Sequence, residues 1–267
     1  MPDVLLEVDA EGVALITLNR PRQRNSMSAN LSRELAAAIR ECEERDDVKA
    51  AVLTGAGTAF CAGIDLKEFA SQAKGGVDPR AGAGSFDAER FLAQSKGIAG
   101  LGNRRKLLIG AINGPSVTGG LELALNCDFL IASTHASFAD THARVGVMPG
   151  GGLTVLLPQW IGVPRARQMS VTGNYVFADQ ALAWGLVNEV VEPEGLLPRA
   201  LELARTAASI EAVPQLLATY EATTGGTVSD AWVTEQLYKR DYDESDGAEV
   251  GRRYGDIRDR GRGQHKL

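Results

Sequence analysis

Cysteine, histidine and a surplus of positive charge are scarce in this chain. Three cysteines, Cys42, Cys61 and Cys127, stand far apart in 267 residues, and no CxxC pair occurs. An odd, widely spaced set is not a disulfide framework, and no zinc knuckle can be built from it. Three histidines without HxxxH spacing add no metal motif. Lys and Arg number 28 against 34 Asp and Glu, for a formal net charge of −6. A nucleic-acid binder usually carries a basic surplus, so no nucleic-acid partner is expected. Long apolar runs are missing too. The uncharged stretch over residues 107 to 121 is interrupted by Asn113, Pro115 and several glycines, so no membrane span or membrane partner is expected. The opening "MPDVLLEVDAEG" has neither a basic n-region nor a long apolar h-region. A cytoplasmic location is the expectation that follows.

What is present is ordinary for a globular enzyme, with 44% hydrophobic and 23% charged residues and length enough for a large core. "LLEV" and "VALITL" read as paired strands across "DAEG". From Ser28, the positions Leu31, Leu35, Ala38, Ile39 and Cys42 recur at helical spacing. "AAVLTG" and "KLLIGAI" read as buried strands, and "AERFLAQSKGIAGLG" as a helix after the loop "GGVDPRAGAG". A short helix over 120–125 runs into the strand "DFLIAS". Strands alternate with helices to about residue 190, which predicts an α/β core over 1–193. Residues 194–267 read as a helical region. There Leu196, Leu197, Ala200, Leu203 and Ala204 form an apolar stripe that needs a partner.

Several motifs compete for the chemistry. "GAGTAF" follows a strand but has Phe60 where a dinucleotide fingerprint needs its third glycine. No GxxxxGK[ST] loop exists. "GPSVTGG" falls short of a nucleophile elbow because Thr118 replaces the last glycine. "FADTH" places His142 two residues after Asp140; on an extended strand the two would share a face. An aspartate so placed would lie alongside the ring rather than at its far nitrogen, which weakens a Ser-His-Asp reading. Two other stretches work together. "FCAGIDLKE" sets a glycine before Ile64 and an acid, Asp65, that can cap a helix. "NGPSVTGGLELALNCD" sets two glycines before a helix carrying Glu122. Each exposes backbone N–H groups at a helix start, and two converging donors suit a thioester oxygen turning into an enolate. Glu122 would then serve as a general acid or base.

With "VALITLNRPRQRNSMS", "AVLTGAGTAFCAGIDLKE", "AINGPSVTGGLELALNCDFLIAS", "FADTHARVGVMPGGG" and "ALAWGLVNEVV" in this order, the chain resembles the enoyl-CoA hydratase/isomerase (crotonase) superfamily. The resemblance implies a crotonase-like spiral of ββα units, followed by C-terminal helices that build a homotrimer or a dimer of trimers. It implies an acyl-CoA substrate, with coenzyme A as part of that substrate and no separate cofactor. The most direct reaction is hydration of trans-2-enoyl-CoA; isomerase, decarboxylase, dehalogenase and catalytically silent CoA-binding or RNA-binding forms are the alternatives. Carried over motif by motif, the oxyanion N–H groups fall on Ile64 and Gly119, and the first glutamate on Glu122. Coenzyme A falls near Ala62, Asp65, Leu66 and Lys67 and along the loop with Arg22 and Arg24. The place of the second family glutamate is taken by His142. An imidazole can accept and donate a proton near neutral pH, but it lacks two carboxylate oxygens. The single-glutamate isomerase pattern loses its glutamate there, and the dienoyl-CoA variant's aspartate is Gly150 here.

Overall fold

The computed structural model describes residues 1–65, 68, 104–224 and 227–241. Strands β1 (Val4–Val8) and β2 (Val13–Leu18) form an antiparallel hairpin with Val4 opposite Leu18. Helix α1 (Ala29–Glu44) follows, its first turn capped by the Ser28 hydroxyl, which accepts the Leu31 N–H at 3.1 Å. Such a cap contributes about 1 kcal/mol. The helix buries Leu31, Leu35, Ala38, Ile39 and Cys42, the positions its periodicity singles out. Each large apolar side chain buried there contributes roughly 1.5–3 kcal/mol. Strand β3 (Ala50–Gly55) returns parallel to β2, and β4 (Leu107–Ile112) lies parallel to β3. Every residue of β4 is buried, as a central parallel strand covered on both faces requires.

From β4 the chain enters a second, smaller layer. Strand β5 (Pro115–Val117) leads into helix α2 (Gly119–Leu125), which buries all its residues. Strand β6 (Phe129–Ser133) rejoins the large sheet, and β7 (Ser137–Ala139) pairs with β5. Four helices follow: α3 (His142–Val145), α4 (Leu153–Ile161), α5 (Val163–Thr172) and α6 (Ala178–Trp184), with β8 (Val176–Phe177) before the last. Strand β9 (Glu189–Val191) closes the six-stranded sheet in the order β1-β2-β3-β4-β6-β9, beside a three-stranded sheet β5-β7-β8. Strands alternating with helices up to β9 give the α/β core that the sequence predicts.

Helix α7 (Pro193–Ala208) lies against β2, β3, β4 and β6. Its Leu196, Ala200 and Ala204 are fully packed, with Leu197 and Leu203 half-buried. The stripe read as needing a partner therefore finds one in the chain's own sheet. By contacts the chain divides into Met1–Pro214 and Gln215–Leu267, and α7 falls in the first of these compact units. The second unit holds most of α8 (Val213–Thr223) and all of α9 (Val228–Asp241). Leu66 and Lys67, the loop "GGVDPRAGAG" and the helix expected over "AERFLAQSKGIAGLG" lie outside the described residues.

Candidate active site

Two turns meet between the sheets. In the first, Met27 pairs with Ile64 and Cys61 with Ser116 as isolated parallel bridges. The Met27 bridge runs from the Met27 N–H to Gly63 O at 2.7 Å and from the Asp65 N–H to Met27 O at 3.0 Å. Ladder geometry then turns the intervening Ile64 N–H away from Met27. Gly63 sits at φ +91°, and a Cβ there would stand 2.8 Å from Val117 O, so only glycine fits. In the second turn Gly119 opens α2, and a first helical N–H has no acceptor in its own helix. The two turns touch: a Cβ on Gly119 would lie 3.8 Å from Ile64 N, and one on Gly63 would lie 3.5 Å from Gly119 N. The backbone nitrogens of Ile64 and Gly119, expected to supply an oxyanion hole, thus lie in adjoining turns.

Thr118, just before Gly119, has φ +56° and ψ −112°. A β-branched residue at positive φ costs on the order of 1–3 kcal/mol. Local bonds hold it. Its N–H donates to Ala139 O at 2.8 Å, and its hydroxyl lies 2.6 Å from that of Thr141. Nothing in the sequence pattern flags this strain beyond Thr118 breaking the glycine pattern.

Glu122 is 4% exposed. Its Oε1 accepts the Gly150 N–H at 3.1 Å and the Gly151 N–H at 2.6 Å, while Oε2 faces His142 Nε2 at 3.7 Å. "PGGG", a landmark in the sequence, is thus a pair of amide donors fixing the carboxylate. His142 Nδ1 lies 2.7 Å from Asp140 Oδ1, which also accepts the His142 N–H at 3.1 Å. Both residues are 2% exposed. Burial acts to raise the Asp140 carboxyl, but hydrogen bonds from His142 and from Ser170 outweigh it and hold the group below the ordinary aspartate value.

The pairing of Asp140 with His142 is real, but its expected cause is not. Strand β7 ends at Ala139, and His142 opens α3, so a turn closed by the aspartate joins them rather than alternation along a strand. Asp140 takes the near ring nitrogen and leaves the far one facing Glu122. Ser116, the serine of the elbow-like stretch, lies inside β5 with no exposure, and its hydroxyl has no hydrogen-bond partner among the described residues. The Ser-His contact of a hydrolase is therefore not made.

The described residues among those expected around coenzyme A fall into three groups. Arg22 and Arg24 are exposed on a 3-10 turn (Pro21–Gln23) and its cap. The fully buried Asn25 ties this loop down, donating to Ala56 O at 2.9 Å and Ala59 O at 2.8 Å. Ala62 is half-buried beside it, its N–H donating to Arg24 O at 3.0 Å. Asp65 caps the Glu68 N–H at 3.3 Å as expected, and its other oxygen lies 3.1 Å from Arg20. Its carboxylate thus anchors the arginine loop.

Residues 9–251 match the family described as Enoyl-CoA hydratase/isomerase. The chain belongs to the enoyl-CoA hydratase/isomerase family. It is 39% identical over 203 residues to "Probable enoyl-CoA hydratase 1, peroxisomal" of Arabidopsis thaliana, covering 75% of this chain and 71% of that one. It is 35% identical over 207 residues to the 1,2-epoxyphenylacetyl-CoA isomerase of Escherichia coli, covering 77% and 76%. The solved enoyl-CoA hydratase of Mycobacterium tuberculosis superposes with a TM-score of 0.71 at 44% identity, over 89% of this chain and 98% of that one. Family membership therefore spans at least two named reactions. Among the described residues no helix is long and apolar enough to cross a membrane, and no His, Cys, Asp and Glu cluster is suited to a metal ion.

Proposed function

We propose that this protein hydrates trans-2-enoyl-CoA to 3-hydroxyacyl-CoA. The observation that carries the reading is the adjacency of the Ile64 and Gly119 N–H groups, with the Glu122 carboxylate buried one turn further along the same helix. The thioester oxygen would take both N–H groups, which stabilise it as charge builds during enolate formation. Glu122, its Oε1 held by two amides, would present Oε2 for proton transfer, a contribution of about 10² to 10⁴ in rate. Arg22 and Arg24, exposed beside Ala62, are suited to the phosphates of coenzyme A, which is part of the substrate; no separate cofactor is invoked. His142 stands where the family pattern has its second glutamate.

The test is turnover of crotonyl-CoA and longer trans-2-enoyl-CoA thioesters, followed as loss of the conjugated thioester absorbance. Binding of acyl-CoA without turnover of any member of the series would retire the reading in favour of a silent CoA-binding protein. An acyl-CoA substrate and self-association are the only partners proposed, in a cytoplasmic setting. Leu216 and Tyr220 on α8 and Trp232 and Leu237 on α9 are exposed apolar side chains that further copies could cover in a homotrimer or dimer of trimers. Light scattering that finds only a 28.3 kDa species at micromolar concentration would exclude such assembly.

A further inference from the structure

Three buried ionisable side chains stand in a row in the site: Asp140, His142 and Glu122, none more than 4% exposed. We propose that Asp140 is a positioning residue that fixes the His142 ring and its tautomer, making Nε2 the second proton-handling atom of the site, opposite Glu122 Oε2. The inference rests on the reading of Glu122 as the proton-transferring carboxylate.

The hydrogen-bond inventory carries it. An ionised carboxylate only accepts. Asp140 Oδ1 lies 2.7 Å from His142 Nδ1 and also accepts the His142 backbone N–H at 3.1 Å. The ring hydrogen is therefore assigned to Nδ1, and Nε2 is the nitrogen left to give or take a proton. It faces Glu122 Oε2 at 3.7 Å, while Glu122 Oε1 is occupied by the Gly150 and Gly151 amides. Each end of the row is held in place: Asp140 by His142 and by Ser170 of α5, Glu122 by the glycine turn. Shortening the 3.7 Å gap to about 3 Å gives a direct hydrogen bond. Once Glu122 has become the acid by taking a proton from the reacting water, that proton passes from Oε2 to His142 Nε2, turning acid and imidazole into carboxylate and imidazolium. The imidazolium faces the Asp140 carboxylate, and the return transfer restores both groups without another reactant. The arrangement differs from a pair of carboxylates, because it needs a third residue to keep one ring nitrogen committed.

The experiment combines Asp140→Asn with a spectroscopic readout. In ¹⁵N-labelled protein the three histidines give separate imidazole signals, and His142→Gln identifies the one in question. His142 is expected in the Nδ1–H form in the wild type. In Asp140→Asn it should become mixed or Nε2–H, since the asparagine amide can donate to Nδ1. On crotonyl-CoA kcat should fall roughly tenfold to 100-fold, the scale of a misplaced catalytic group, with KM within about twofold. An Nε2–H signal in the wild type overturns the proposal, as does a folded Asp140→Asn whose kcat stays within twofold while Glu122→Gln is inactive. If the wild type turns over no acyl-CoA thioester, the hydratase reading fails. The wild-type tautomer then still decides the positioning of His142 and needs no variant that folds.

Discussion

Adding one methyl group at Gly151 should damage the site without removing any of its polar groups. A Cβ there would stand 2.9 Å from Glu122 Cδ, 2.9 Å from Oε2 and 3.1 Å from Cβ. Comfortable carbon contacts need about 3.5–4 Å, so the carboxylate must retreat by roughly 0.5–1 Å. It cannot do so freely, because its Oε1 is held by the Gly150 and Gly151 amides. Gly151 is not among the positive-φ glycines, so alanine meets no left-handed strain. Misplacing a reacting group by about 1 Å costs on the order of 100-fold, so Gly151→Ala should lower kcat on crotonyl-CoA by roughly 10- to 100-fold. Overpacking of this kind costs about 1–3 kcal/mol of stability, visible as a lower Tm. Gly150→Ala is the matched control. Its amide also donates to Glu122, but a Cβ there meets nothing within 4 Å, so activity should stay within about twofold. Equal activities for the two alanine variants, both folded, would refute the placement of Glu122 as the reacting carboxylate.

Glu122→Gln should keep the fold, since its side-chain oxygen can still accept from Gly150 and Gly151, and should lower kcat by about 10²- to 10⁴-fold in a steady-state assay. Gly119→Pro removes one of the paired N–H groups and should reduce turnover more than acyl-CoA affinity, as measured by kinetics beside calorimetric binding. Burial pushes the thiols of Cys61 and Cys127 up to about 12 and that of Cys42 up to about 11, so alkylation of native protein at pH 8 should be slow and should reach all three on unfolding. The Asp140 carboxyl is depressed in the folded state, so its stabilisation is complete above the ordinary carboxylate value of about 3.9 and is lost as pH falls through the folded value. The Tm margin of wild type over Asp140→Asn should accordingly be flat above about pH 5 and shrink below about pH 4; a margin that grows on acidification would contradict the assignment.

How much of this was legible beforehand depended on how far along the chain each signal extends. Helix α1 announces itself over 16 residues, with a cap at Ser28 and five apolar positions that are the ones it buries. Strand β3 declares itself by an unbroken apolar run between turns. Strands β5, β7 and β8, of three, three and two residues, are too short for any periodicity. They exist because neighbouring strands bring them together. Helix α7 shows the complementary limit: an apolar stripe says that something covers it, not which chain does. Leu196, Ala200 and Ala204 meet the sheet of their own unit.

The site divides in the same way. That the turns of Ile64 and Gly119 would adjoin was legible because a glycine before a helix start shapes the backbone, and spacing along the chain specifies that backbone. His142 was not readable from spacing, because its role depends on what faces each ring nitrogen. Asp140 is two residues away and Glu122 is twenty, and only folding puts Glu122 within 3.7 Å of Nε2. A carboxylate in that position would bring its own second oxygen. A histidine brings one free nitrogen, and only if something else occupies the other. The proton-handling role proposed for His142 is therefore coherent only together with Asp140, and the turn that places them is one that neither residue specifies alone.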